Sequence, residues 1–157
     1  MTLLPFFEWC EATWIGTAVR ESIWAFPVIE ALHLLGLSLL GGSLLIVDLR
    51  MLGLGLTRQT IPELARDARP WLLAAIAVMA ATGTLLFLSE AVKCYYSTPF
   101  RVKVIALPVA LLFTFTVREP GARRTELVTG TKSRILGATS IALWLTVAAA
   151  GRWIGFS

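Results

Sequence analysis

One uninterrupted apolar stretch, residues 23–47, constrains the fold more than any other part of the chain. It reads IWAFPVIEALHLLGLSLLGGSLLIV, and within it only Glu30 and His33 carry ionisable side chains. At 1.5 Å per residue, a helix of this length is about 37 Å long, enough to cross the roughly 30 Å hydrocarbon core of a bilayer. The stretch therefore predicts a membrane-spanning helix.

Three further apolar segments, at about 70–89, 100–117 and 134–155, have the same character. Hydrophobic residues make up 57% of the chain, whereas soluble domains lie near 45–50%. Residues 1–20 mix aromatic with charged side chains and are too short to span, so they predict a helix lying at the membrane interface. We expect an all-α integral membrane four-helix bundle with an N-terminal interfacial helix, forming one transmembrane domain over residues 1–157.

Two local patterns refine this expectation. Thr60-Ile61-Pro62-Glu63 has the form of a capping box with proline in the first turn, which predicts a short surface helix at about 61–69. Ser38 and Gly42 form a small-xxx-small pair within the first span, which allows another helix to approach closely.

The basic residues are divided unequally between the two sides of the predicted bundle. Nine lie in the loops between spans one and two and between spans three and four: Arg50, Arg58, Arg66, Arg69, Arg118, Arg123, Arg124, Lys132 and Arg134. Five lie on the other side: Arg20, Lys93, Arg101, Lys103 and Arg152. The positive-inside rule puts the richer side in the cytoplasm and both termini outside. Topology and contact with anionic lipid account for the net charge of +4, and no pattern predicts nucleic-acid binding.

Five ionisable residues fall in the outer half of the predicted bundle or at its outer edge. They are Glu30, His33, Glu90, Lys103 and Arg152. Such groups are costly in lipid, so we expect them to face protein, water or a ligand. The i,i+3 spacing of the first two places them on one helical face. This outer cluster predicts either an ion network that fixes helix register, or a site open to the outside for a cofactor, quinone, ion or proton.

His33 is the only histidine and the strongest candidate ligand. The plainer interpretation is a hydrogen-bonded packing residue. Met79 lies at a similar depth in span two, and a His/Met pair is a known axial ligand set for haem, although methionine also fills cores. With no second histidine, CxxC or HExxH, the identity of any metal stays open.

The remaining reactive residues give few indications of chemistry. Cys10 and Cys94 are both expected on the outer side, where a disulfide and two separate thiols remain alternatives. The chain has no GxSxG, P-loop or GxGxxG sequence, so we assign no catalytic residue and favour a protein without enzymatic activity.

A resemblance extends over nearly the whole chain. The run WAFPVIEALHLLGLSLLGGSLLIVDLRMLGL, with RPW, FLSEAVKCY, FRVK and AAAGRWIGF, resembles an uncharacterised bacterial family of small integral-membrane proteins, a domain of unknown function. It implies a multi-pass protein of the bacterial inner membrane, with periplasmic termini on the topology above. The portion ALHLLGLSLLGG is also similar to the membrane domain of copper-resistance protein D and to haem-dependent protoporphyrinogen oxidases, which implies haem or copper at His33.

Three functions are consistent with these observations. The first is a non-enzymatic membrane protein or partner subunit, in contact with the lipid bilayer and with a second copy or another membrane protein. The second is a redox protein that binds haem b or a quinone around His33 and Glu30. The third is a small transporter of protons, ions or metal that uses Glu30, His33, Glu90 and Arg152.

Overall fold

The computed structural model describes residues 3–55, 58–124 and 130–155, which are helical wherever they are regular. The helices are α1 (Leu4–Glu11), α2 (Trp14–Glu21), α3 (Ala25–Met51), α4 (Ile61–Ser89), α5 (Ala91–Tyr96), α6 (Thr98–Phe113), α7 (Glu119–Arg123) and α8 (Thr131–Ile154). A π-helical turn, Thr114–Arg118, joins α6 to α7. Within these described residues, four segments are long and apolar enough to cross a membrane: α3, α4, α6 through α7, and α8. The predicted all-α membrane fold with a short N-terminal helix is confirmed.

The start of α4 follows its sequence signal, but the helix is longer than expected. Thr60 forms the capping box, accepting from the Glu63 N–H while the Glu63 carboxylate accepts from the Thr60 N–H. The helix then continues through Pro70 to Ser89. The expectation of a separate surface helix at 61–69 is therefore wrong. Membrane helices tolerate an internal proline because neighbouring groups can satisfy the freed carbonyl.

Helix α3 is central, packing against α4 and α8, while α6 packs on the other side of α8. Two groups of buried side chains fill the space around α3 and α4: Leu40, Leu44, Leu72 and Ala75, then Val47, Met51, Leu64, Ala65 and Ala122. Large apolar side chains cover the outside of the bundle; on α6, for example, Ile105 is 70% and Leu112 is 66% exposed. Continuous apolar surface of this kind is suited to lipid, so the molecule is a multi-pass membrane protein.

The two ends of the bundle are built differently. At one end, Phe7 of α1 contacts Phe87, Tyr95 and Phe100, with ring centroids 5.7, 5.3 and 6.3 Å away. These rings hold α1 across the adjoining ends of α4, α5 and α6, and we call this the aromatic end. The opposite end carries the start of α4, the π-helical turn and α7, with Arg66, Arg69, Arg118 and Arg123. We call it the arginine end.

Candidate functional site

The five residues of the outer cluster all lie towards the aromatic end, on α3, at the junction of α4 and α5, on α6 and on α8. Glu90 is at the junction of α4 and α5, with its carboxylate 3.8 Å from the Lys93 ammonium. Arg152 is exposed in the last turn of α8. Glu30 is exposed on α3 and makes no hydrogen bond or ion pair with the residues that the structure describes. His33 instead turns towards α4 and is half-buried.

A threonine on α4 fixes the orientation of the His33 ring. The Nδ1 atom lies 2.8 Å from the Thr82 hydroxyl oxygen, and that hydroxyl donates to the Val78 carbonyl at 2.6 Å. A hydroxyl has one proton, so Thr82 accepts from His33, and Nδ1 carries the hydrogen. In the neutral ring the lone pair is then on Nε2. This nitrogen is the atom of His33 able to bind a metal or accept a proton.

Lys103 approaches the same region from α6. Its ammonium lies over the backbone of α8, where a β-carbon added at Gly151 would be only 3.3 Å from Nζ. Glycine at this position leaves room for the half-buried lysine side chain. Lys103 is also within electrostatic range of the His33 ring. His33 of α3 and Lys103 of α6 therefore lie in the same region of the bundle.

Met79 lies in the same α3–α4 interface, on the side of His33 towards the arginine end. A β-carbon at Gly36 would be 3.2 Å from the Met79 sulfur, and one at Gly83 would be 3.2 Å from Cε1 of His33. Both glycines let α3 and α4 pack closely along this line. A porphyrin placed between His33 and Met79 would therefore require the two helices to separate.

The most deeply buried charges lie at the arginine end. The side chains of Arg118 and Asp48 are each 1% exposed, and Arg118 Nε donates to Asp48 Oδ1 at 2.6 Å. The other guanidinium nitrogens donate to Glu119 Oε1 at 3.2 Å and to the Leu44 carbonyl at 3.0 Å. Ser140 of α8 donates to the second Asp48 oxygen at 2.6 Å. We call Asp48, Arg118, Glu119 and Ser140 the arginine network.

Two further arginines extend this network to the surface. Glu119 Oε2 lies 3.5 Å from Nη2 of Arg123 and 3.9 Å from Nε of Arg69, and both of these side chains are about half exposed. No buried side-chain nitrogen or oxygen in the described part of the chain lacks a hydrogen-bond partner. Because the buried ions are paired and hydrogen-bonded, the network fixes the relative positions of α3, α7 and α8.

The π-helical turn contains Arg118 and ends directly before Glu119, two adjacent residues that are only 1% and 6% exposed. A π-helical turn contains one extra residue, which changes the facing of the residues that follow it. The turn is held at its start by Thr114, whose hydroxyl accepts from the Trp144 indole at 3.0 Å.

Sequence analysis did not identify this network. Arg118 is counted above among the basic loop residues, and Asp48 is given no role there. A signal was nevertheless present, since span one ends with an acid and span three ends with the adjacent pair Arg118-Glu119. Opposite charges at the same predicted depth on neighbouring helices are candidates for pairing.

The two cysteines lie on α1 and α5, which pack against each other. Both are buried, and both are free thiols in this structure. Burial, with a smaller contribution from Glu90, raises the pKa of Cys94 to about 11. This thiol is therefore neutral at physiological pH and a poor nucleophile.

Over residues 3–55, 58–124 and 130–155, no group of three or more His, Cys, Asp or Glu side chains lies close enough to hold a metal ion. No curated protein and no solved structure matches the chain. A family model described as a family of unknown function, DUF6644, matches residues 6–157, which is nearly the whole sequence. The chain therefore belongs to the family of unknown function DUF6644, as a multi-pass membrane protein of unassigned activity.

Proposed function

We propose that this protein is a non-enzymatic subunit of a larger assembly in the bacterial inner membrane, and that it binds a transmembrane helix of another protein. The observation that carries the proposal is an exposed stripe along α3. Its members are Glu30, Leu34, Ser38, Gly42 and Leu45, all exposed and within about 120° of one another around the helix axis. We call this stripe the open face of α3.

The open face has the composition of a helix-docking surface. A β-carbon added at Gly41 or Gly42 would have no heavy atom within 4 Å, so no described part of the chain covers them. In lipid the hydrophobic effect does not drive two helices together, so close van der Waals packing has to do so. Small residues favour association because they let two helix backbones approach closely. Elsewhere on α3, by contrast, the Gly36 position is closely packed against α4.

Glu30 suggests the chemistry of the partner helix. It lies five residues into α3, about 7.5 Å along the helix axis, near the edge of the hydrocarbon core. A carboxylate at this level gains most from a cation or a hydrogen-bond donor on a neighbouring helix. We therefore expect Lys, Arg or another donor opposite Glu30 on the partner.

The arginine network supports the same interpretation, because its ionised groups bind one another and hold α3 in place. The rigidly held helix presents its open face outwards. The positive-inside rule places the arginine end in the cytoplasm. Glu30, the aromatic end and both termini are then on the periplasmic side.

Photo-crosslinking in native membranes tests this proposal. A benzophenone amino acid at Leu34 should give one discrete adduct, whereas the same probe at Ile105, an exposed residue of α6, should give none. Gly42→Leu should abolish the adduct through steric exclusion, and Glu30→Leu should weaken it. Equal labelling at Leu34 and Ile105 would contradict the proposal. An adduct of twice the 17.1 kDa chain mass would assign the open face to a homodimer instead.

A second candidate function is supported by the lone pair on His33 Nε2. Metal-binding histidines commonly donate their other ring N–H to a protein acceptor, as His33 does to Thr82. The ligand would be the iron of haem b, or the hydroxyl of a quinol donating to Nε2. Oxidised and reduced absorption spectra of protein from haem-replete cells test the haem. A Soret band that His33→Ala removes and Met79→Leu preserves supports it, and a colourless sample refutes it.

A further inference from the structure

We propose that a groove at the arginine end binds the phosphate headgroup of an anionic phospholipid. The groove has a volume of about 590 Å³ and lies between the first turns of α4 and the end of α7. Its lining includes Arg66, Arg69 and Arg123, with Pro62, Pro70 and Leu73. The site is at the opposite end of the bundle from Glu30 and does not depend on the proposed docking of a partner helix.

The charge of the groove is suited to a phosphate. The Arg66 side chain is 77% exposed, and in the described part of the chain it forms an ion pair with Asp67, itself exposed. Arg69 and Arg123 approach Glu119 at 3.9 and 3.5 Å through one nitrogen each. A guanidinium has five N–H donors, so all three arginines keep donors for an added oxyanion.

The lining also contains one acidic residue, Glu63, which with the three arginines leaves a net charge of +2 among the lining residues. The Glu63 carboxylate accepts from the Thr60 N–H at 3.1 Å and from its hydroxyl at 2.7 Å. This capping box holds the carboxylate against the start of α4. The three arginines therefore outnumber the one carboxylate of the lining.

The wall of the groove indicates a lipid rather than a soluble anion. Arg66, Pro70 and Leu73 are spaced i, i+4 and i+7, so they follow one face of α4. Leu73 is about 10 Å further into the membrane span than Arg66 along the helix axis, and it is 43% exposed. The polar mouth thus leads onto apolar, lipid-facing surface. A molecule with a phosphate and an acyl chain complements both parts.

Native mass spectrometry of the full chain in detergent tests the site, with dioleoyl phosphatidylglycerol and dioleoyl phosphatidylcholine as probes. The wild-type protein should retain the anionic lipid in preference to the zwitterionic one. One cation near a membrane surface contributes about 1 kcal/mol, or roughly fivefold in affinity, so Arg66→Gln and Arg123→Gln should each weaken phosphatidylglycerol binding by about that factor. Together they should weaken it about 25-fold. Arg124→Gln, at the same end but outside the lining, is the control and should change binding less than twofold.

Two results would overturn the proposal. In the first, Arg66→Gln retains the wild-type preference for phosphatidylglycerol; this residue is largely exposed, so its replacement should leave the fold intact. In the second, inorganic phosphate or glycerol phosphate displaces the lipid at equal concentration, which would show a site for a soluble anion. Unchanged helicity by circular dichroism confirms that each variant is folded.

Discussion

Replacing Arg118 by methionine should destabilise the bundle strongly, because this guanidinium holds the arginine network together. It donates three hydrogen bonds, to Asp48, to Glu119 and to the Leu44 carbonyl, and is 1% exposed. After the substitution, Glu119 keeps its contacts with the half-exposed arginines of the groove. Of its side-chain partners among the described residues, Asp48 keeps Ser140 and becomes a buried carboxylate without a cation.

The size of the effect follows from this imbalance. Removing one partner of a buried ion pair costs about 3–5 kcal/mol, because the remaining charge is left uncompensated. Asp48→Asn should cost less, about 1–3 kcal/mol, since Arg118 then retains Glu119 and the Leu44 carbonyl while Ser140 keeps an acceptor. In the double variant, Arg118→Met with Asp48→Asn, no buried charge is left alone at Asp48. The double variant should therefore lose less unfolding free energy than the two single variants together, by about 2 kcal/mol.

Reversible unfolding in mixed micelles measures these free energies of unfolding, with the fraction of folded protein read from tryptophan fluorescence. Arg124→Met, at an exposed position, is the matched control and should lie within about 0.5 kcal/mol of the wild type. A decrease in unfolding free energy of less than about 1 kcal/mol in Arg118→Met would contradict this role of the arginine network. So would a double variant whose decrease equals the sum of the two single decreases.

Three further predictions concern local features. Alkylation of Cys94 in a Cys10→Ser background should accelerate as pH rises towards 11, since only about one thiol in a thousand is ionised at pH 8. Complete labelling of Cys94 within a minute at pH 7 would contradict this prediction. Gly137→Ala should lose about 1–3 kcal/mol of unfolding free energy, because its β-carbon would lie 2.8 Å from the Asp48 carbonyl, whereas Gly41→Ala has open space and should cause no loss. Thr60→Ala should cost about 1 kcal/mol by removing the α4 cap, measured in the same unfolding assay.

The sequence was sufficient for the fold because long apolar helices leave few alternatives in a bilayer. Length and hydropathy identified four spans, and the capping box at Thr60 located the start of α4. The continuation of α4 through Pro70 was not predictable in the same way. Whether a proline ends a helix depends on what packs around the freed carbonyl, and that is a property of the assembled bundle.

The polar residues were predictable in depth but not in rotation about the helix axis. Glu30 and His33 are separated by 300° along α3, which leaves them 60° apart around it. This difference is enough for Glu30 to be exposed while His33 turns towards Thr82. The pairing of Asp48 with Arg118 was out of reach for a related reason. Asp48 and Arg118 pair between different helical segments, and periodicity along one helix does not show which residues of two segments face each other.

Thr82→Val separates the two interpretations of His33. If His33 only packs, the variant leaves its Nδ1 hydrogen without an acceptor, which should cost about 1–3 kcal/mol of unfolding free energy at every ligand concentration. If Nε2 binds a ligand, the same change also releases the ring orientation, and ligand affinity should fall by about 10- to 100-fold, as for other residues that orient metal ligands. A titration of purified apoprotein with haemin, followed at the Soret band, measures the second effect. A stability loss with unchanged haemin affinity would assign His33 to packing and leave the open face of α3 as the functional surface.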